Sequence, residues 1–140
     1  MALPIKDGKI TTAYKAKGKH WSKGYHTGVD FAQPVGTPVY AVQDGIVTNA
    51  NWGKAYGTQI VIDQKALNDG TPQRIAGGWA IYAHLSKSNV TAGQAVKKGD
   101  LIGYVGNSGN STGAHLHYEV RNNIKWSAGQ EIDPMPILGA

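Results

Sequence analysis

The 140-residue sequence contains no cysteine. Disulfide frameworks and thiolate metal sites are therefore excluded, and nothing marks a redox compartment. Charge is sparse: Asp, Glu, Lys and Arg make up 16% of residues, against 41% hydrophobic ones. That balance suits a folded globular chain and argues against disorder. No apolar run approaches the ~20 residues of a membrane-spanning helix. The opening MALPIKDGKI lacks the apolar core of a signal peptide. Long Ala/Leu/Glu/Lys runs are also missing, whereas there are 19 glycines and 7 tyrosines. This favours short strands and many turns over helix. The length suits one domain with one core.

The net charge of +5 fits an anionic partner such as nucleic acid, an acidic polymer or a cell wall. It fits a merely soluble basic protein equally well. The basic residues are dispersed, with one modest cluster at Lys15, Lys17, Lys19 and Lys23. No nucleic-acid-binding motif accompanies them.

Residues 37–50, TPVYAVQDGIVTNA, hold two alternating apolar runs around a turn at Asp44-Gly45. TQIVID (58–63) and GWAIYAHL (78–85) read as strands, LNDGTPQ (67–73) as a loop, and HLHYEV (115–120) as the last clear strand. Between them, VTAGQAVKKGDLIGYVG (90–106) places turns at Ala92-Gly93 and Lys98-Gly99-Asp100. Asp44-Gly45 and Gly99-Asp100 both lie between apolar pairs, which hints at two related hairpins. The expected fold is all-β, a compact antiparallel sandwich or barrel-like domain with little or no helix. No linker divides residues 1–140, so a single domain is expected.

With no cysteine, a transition-metal site must use histidine and carboxylate, a set that suits zinc. The histidines are His20, His26, His84, His115 and His117. Residues i and i+2 of a strand share a face, so His115 and His117 look into one cleft with Glu119 further along. They read as one or two metal ligands, or as a solvent-facing pair on a half-buried sheet. In YHTGVDFAQP (25–34), His26 and Asp30 are four apart. Gly28, Val29, Phe31 and Pro34 argue against a helix there. A straight strand would hold the two Cα atoms ~13 Å apart, whereas metal–ligand bonds are only ~2 Å long. A shared ion therefore needs a bend, which Gly28 permits. His84 closes an apolar strand, where a packed core histidine is the ordinary explanation. His20, in a lysine-rich stretch, is expected to face solvent.

Taken in order, H-x-x-x-D, Y-A-H-L-S and S-T-G-x-H-L-H resemble the motifs of the lysostaphin- and LytM-type zinc endopeptidases, which cut peptidoglycan peptides. The resemblance runs from Tyr25 to about Leu138. It takes in GTPVYAVQDGIV, GQAVKKGDLIGYVGNSGNSTGAHLHYEV and the terminal Asp133-Pro134. It implies the lysostaphin-type β fold and one zinc ion held by His26, Asp30 and His117. His84 and His115 would then be catalytic: His115 is the expected general base and His84 would stabilise an oxyanion or protonate the leaving amine, two roles that the sequence leaves exchangeable. The loop Asn51–Gly57 resembles the family's cleft-side loop, so Trp52 and Tyr56, with Asn107 and Thr112 on the opposite rim, are expected substrate contacts. Glu119 lies ~13 Å from His115 along a straight strand, and family members also carry an amide at this position; both argue against an essential acid there and leave Glu119 outside the catalytic set. A family tyrosine ahead of H-x-x-x-D has no secure counterpart: Tyr25 is adjacent to the motif and His20 lies six positions before His26.

The implied partner is bacterial peptidoglycan, with no nucleic acid and no membrane insertion, for a monomer working at the cell wall. The absence of a signal peptide and of a wall-binding repeat fits a phage lysin, a tail-associated enzyme or a domain excised from a larger protein. Three alternatives stand beside this reading. A degenerate family member that binds the wall or activates a hydrolase would have lost motif residues, and all five are present. A lipoyl- or biotinyl-type carrier, suggested by VKKGDLIGYV, needs a displayed lysine and no histidine cluster. A nucleic-acid-binding module rests on charge alone.

Overall fold

The computed structural model describes residues 3–6, 8–11, 28–49, 53–64, 79–109 and 113–121, and the backbone of 131–132. Nine strands are present among the described residues: β1 (Val29–Ala32), β2 (Pro38–Tyr40), β3 (Gly45–Val47), β4 (Thr58–Asp63), β5 (Trp79–Ser88), β6 (Ala95–Val96), β7 (Leu101–Val105), β8 (His115–Arg121) and β9 (Glu131–Ile132). One 3-10 turn at Lys54–Tyr56 is the only helical element among the described residues. All pairings are antiparallel, in the order β1-β8-β5-β4-β3-β6. Strand β7 joins β2 to β5, and β9 lies on β8. The all-β expectation is met.

Period-2 alternation gives the central strands two faces of different character. One face buries Val29 and Phe31 of β1, Ile60 and Ile62 of β4, Ala80 and Tyr82 of β5, and Leu116, Tyr118 and Val120 of β8 in the main core. The other carries a small apolar cluster of Val61, Ile81 and Ala83, flanked by Tyr56 and Trp79. The polar residues of β8 alternate with its core residues and so belong to this second face. The main core continues under β2, β3, β6 and β7 through Val39, Val47, Val96, Ile102 and Val105.

The two expected hairpins are not formed. Strand β2 pairs with β7, and β3 pairs with β4 and β6, so neither β2–β3 nor β6–β7 doubles back on itself. Val39, Ala41, Val42 and Val47 are all buried in the same cluster. The chain therefore turns a corner between β2 and β3 to keep both in contact with that core. The two corners interlock. Lys98 N–H donates to Asp44 Oδ1 at 2.8 Å, Gly99 N–H to the Ala41 carbonyl at 2.8 Å, and Ala41 N–H to the Asp100 carbonyl at 2.9 Å. The turn signals were real, but they mark crossings from one strand pair to another.

Strand β4 spans the expected residues, and β5 runs on to Ser88. Among the described residues, no helix is long and apolar enough to cross a membrane. The 67–73 loop and Asp133-Pro134 lie outside the described residues.

Candidate metal and catalytic centre

The second sheet face gathers the chemistry. Strand β8 projects His115, His117, Glu119 and Arg121 onto it at successive i+2 positions, as the H-x-H spacing requires. Strand β1 lies alongside, with Asp30 paired to His117 in the ladder. Strand β5 lies on the other side, with Ala83 paired to His117. A small residue there leaves the imidazole room.

Asp30 reaches its place because β1 approaches β8 closely at Gly28. A Cβ at Gly28 would stand 2.3 Å from the Tyr118 carbonyl oxygen, so only glycine lets the chain enter β1 at this height. Asp30 Oδ1 then lies 2.9 Å from His117 Nδ1, and Oδ2 lies 3.6 Å from His115 Nε2. The carboxylate thus faces both histidines of the H-x-H pair.

His84 arrives by a different device. Thr58 pairs with Leu85 but Ile60 pairs with Tyr82, so β5 spends one residue more than β4 over this interval. The extra residue forms a β-bulge at Ala83–His84. His84 has φ +62°, the only non-glycine residue with positive φ among the described residues. Simple alternation would send it toward the core beside Tyr82. The bulge turns it toward its partners instead: its ring centroid lies 4.7 Å from that of His115 and 6.1 Å from that of His117.

Backbone carbonyls orient two of the three rings. His84 Nδ1 is 2.7 Å from the Ser108 carbonyl, and His115 Nδ1 is 2.7 Å from that of Gly113. A carbonyl only accepts, so each Nδ1 carries the proton, and in the neutral ring Nε2 carries the lone pair. Burial lowers the pKa of His84 to about 4, against the opposing pull of the Ser108 carbonyl. It is neutral at pH 7. His117 behaves oppositely. Burial alone would lower its pKa, but hydrogen bonds to Asp30 and Glu119 outweigh that and raise it to about 9.

The residues singled out in the sequence are partly visible here. Asp30, His84, His115 and His117 converge. Tyr56 stands against the site, its ring edge-on to His117 at 5.8 Å between centroids. Asn107 is exposed on the loop that carries Ser108. His26, Trp52 and Thr112, like His20 and Tyr25, lie outside the described residues. Among the described residues no three ligand-type side chains form a metal-holding group.

Two residues take a part in the site that the sequence does not assign them. Glu119, left outside the catalytic set, is fully buried and accepts at Oε1 from His117 Nε2 at 2.9 Å and from the Tyr56 hydroxyl at 2.8 Å. Arg121, also fully buried, donates through Nε to Glu119 Oε2. The alternation of HLHYEVR carried the signal: two further polar residues continue the histidine face, and a buried carboxylate requires a cationic partner.

Imidazoles and carboxylates gathered on one sheet face are the side chains a hydrolase uses. The chain belongs to peptidase family M23, whose model matches residues 24–134. Over 116 residues it is 42% identical to the glycyl-glycine endopeptidase ALE-1 of Staphylococcus capitis, covering 82% of this chain and 29% of that protein. Its structure is similar to the catalytic domain of the antimicrobial peptidase lysostaphin from Staphylococcus simulans, with a TM-score of 0.82, 34% identity and all of both chains covered. It is also similar to a zinc-containing peptidase from Vibrio cholerae, with a TM-score of 0.72, 32% identity, and 96% of this chain and 40% of the other covered. The chain spans less than a third of the length of ALE-1. The lysostaphin-type resemblance and fold expected from the sequence are borne out.

Proposed function

We propose that this chain is a zinc-dependent endopeptidase domain that hydrolyses peptide bonds in the stem peptides or cross-bridges of bacterial peptidoglycan, at the cell wall. The observation that carries the reading is the convergence of Asp30, His117, His115 and His84 on one sheet face in a chain of peptidase family M23.

The donor set fits zinc. Asp30 Oδ1 and His117 Nδ1, 2.9 Å apart, are a carboxylate and an imidazole close enough to share one ion. His26, from the same H-x-x-x-D motif as Asp30, is the third ligand in this reading, and the relative from Vibrio cholerae is described as containing zinc. Bound there, zinc would supply a Lewis acid for the peptide carbonyl and bring a water toward deprotonation near neutral pH.

The remaining work falls to side chains. His115, its Nδ1 proton held by Gly113, takes a proton at Nε2 from the attacking water as general base. His84 is neutral and carries its lone pair at Nε2. It has no proton of its own to give at Nε2, so the proton that reaches the leaving amine is the one His115 has taken from the water, passed on directly or by way of His84, whose ring centroid lies 4.7 Å from that of His115. Tyr56, Asn107, Trp52 and Thr112 are the proposed contacts to substrate on the two rims.

The test is product analysis on purified peptidoglycans whose cross-bridges contain or lack glycine, with zinc content measured on the same preparation. Release of new peptide termini by zinc-loaded protein, lost on chelation and restored by zinc, is expected. The name of ALE-1 makes glycine–glycine bonds the first to examine. Intact wall peptides after exposure to fully zinc-loaded protein would refute the reading.

A further inference from the structure

We propose that Glu119, held in place by Arg121 and Tyr56, is a positioning residue that decides which nitrogen of His117 is offered to the metal. The inference rests on the zinc reading above.

The argument begins with reach. Glu119 follows His117 by two positions, so it shares its face and lies one pleat away, ~7 Å along the strand. Its side chain turns back to the far nitrogen of the ring, and Oε1 meets His117 Nε2 at 2.9 Å. An ionised carboxylate has only acceptors, so Nε2 must hold a hydrogen. With Nε2 so committed, Nδ1, the nitrogen that faces Asp30 Oδ1, is the one left for coordination once a metal displaces its proton. A carboxylate behind a ligand imidazole also makes that ligand more basic and fixes its orientation.

Glu119 is itself constrained on both oxygens. The Tyr56 hydroxyl donates to Oε1 and Arg121 Nε donates to Oε2. Glu119 and Arg121 are fully buried, so the guanidinium offsets a charge that could not otherwise stay there. The edge of the Tyr56 ring against His117 limits rotation of the imidazole. Glu119 and Tyr56 thus bracket one ring, and Arg121 holds Glu119 in place. A salt bridge serving only to hold the sheet together would not need its carboxylate to touch the ring as well.

The test separates the acceptor from the charge. Glu119→Gln alone would leave Arg121 buried without its counter-charge, so two double variants are compared: Glu119→Gln/Arg121→Met and Glu119→Ala/Arg121→Met. Both lack the ion pair, and they differ in whether position 119 offers an oxygen to Nε2. Thermal melts confirm that both are folded. Zinc affinity is read by competition with a chromophoric chelator, and long-range 1H–15N spectra of the zinc-loaded proteins report which ring nitrogen is metal-bound. The glutamine pair is expected to bind zinc about 10- to 100-fold more tightly than the alanine pair. It should also keep His117 wholly Nδ1-metallated, whereas the alanine pair shows both ring orientations. Equal affinities with the same single ring orientation in both would overturn the proposal while leaving the zinc reading intact. A wild-type chain that takes up no zinc would overturn the zinc reading and this proposal with it.

Discussion

Asp30 sits directly across the β1–β8 ladder from His117, and its Oδ1 lies 2.9 Å from the ring's Nδ1. This places a carboxylate and an imidazole on one spot without help from any loop. About one zinc per chain is therefore expected, because three protein ligands with an open position match a catalytic site. Asp30→Ala, His117→Ala and His26→Ala should each lose retained zinc on desalting, as measured by elemental analysis. Undiminished zinc in all three would reject the ligand set.

The entry into β1 sets the height of Asp30. Gly28→Ala drives a methyl group to 2.3 Å from the Tyr118 carbonyl oxygen and must push β1 away from β8. A loss of about 1–3 kcal/mol is expected, typical of overpacking, together with weakened zinc retention as Asp30 withdraws. Urea unfolding measures the first effect. An unchanged midpoint would show that the ladder has slack at this crossing.

Removing the metal should cost activity and leave the fold. The main core lies on the opposite face of the sheet from Asp30 and His117, and it buries Phe31, Tyr82, Leu116 and Tyr118 without using them. A chain of this length buries an adequate core without a structural ion. Circular dichroism of chelated protein should keep its β signature and a cooperative melt. A collapse of that signature would make the metal structural.

His84 makes metal-free stability depend on acid. Its folded pKa of about 4 lies below the ordinary histidine value of 6.5. Between these values the unfolded chain binds a proton that the folded chain does not. Stability therefore rises with pH across this window and is lost as pH falls from about 6.5 to about 4, by up to ~3 kcal/mol. His84→Asn, which also suits a positive φ, should flatten this part of the profile. Parallel wild-type and variant curves of unfolding free energy against pH would contradict the assignment.

Strand periodicity made much of this site legible. The H-x-H spacing placed His115 and His117 on one face, and that face is the one that meets Asp30. His84 was legible as a histidine ending an apolar strand, but its direction was not. A one-residue bulge reverses the face, and nothing in AIYAHLS marks where β5 gains a residue on β4. The turns at Asp44-Gly45 and Gly99-Asp100 were legible as turns. Their partners were not, because which strand pairs with which is settled by the shared burial of Val39, Val47, Val96 and Val105 across long separations. Glu119 was set aside because of its distance from His115. The nearer histidine, His117, and the cation two residues on were the partners that mattered.

The most direct test takes the two histidines of H-x-H separately, with zinc content and turnover on a peptidoglycan peptide measured on the same preparations. His117→Ala should lose both. His115→Ala should keep its zinc and lose turnover by ~100- to 10,000-fold, as for a removed general base, and His84→Ala should follow His115→Ala. A metal-free His115→Ala beside a zinc-bearing His117→Ala would exchange the two roles, and a His115→Ala protein with both zinc and full turnover would contradict the account.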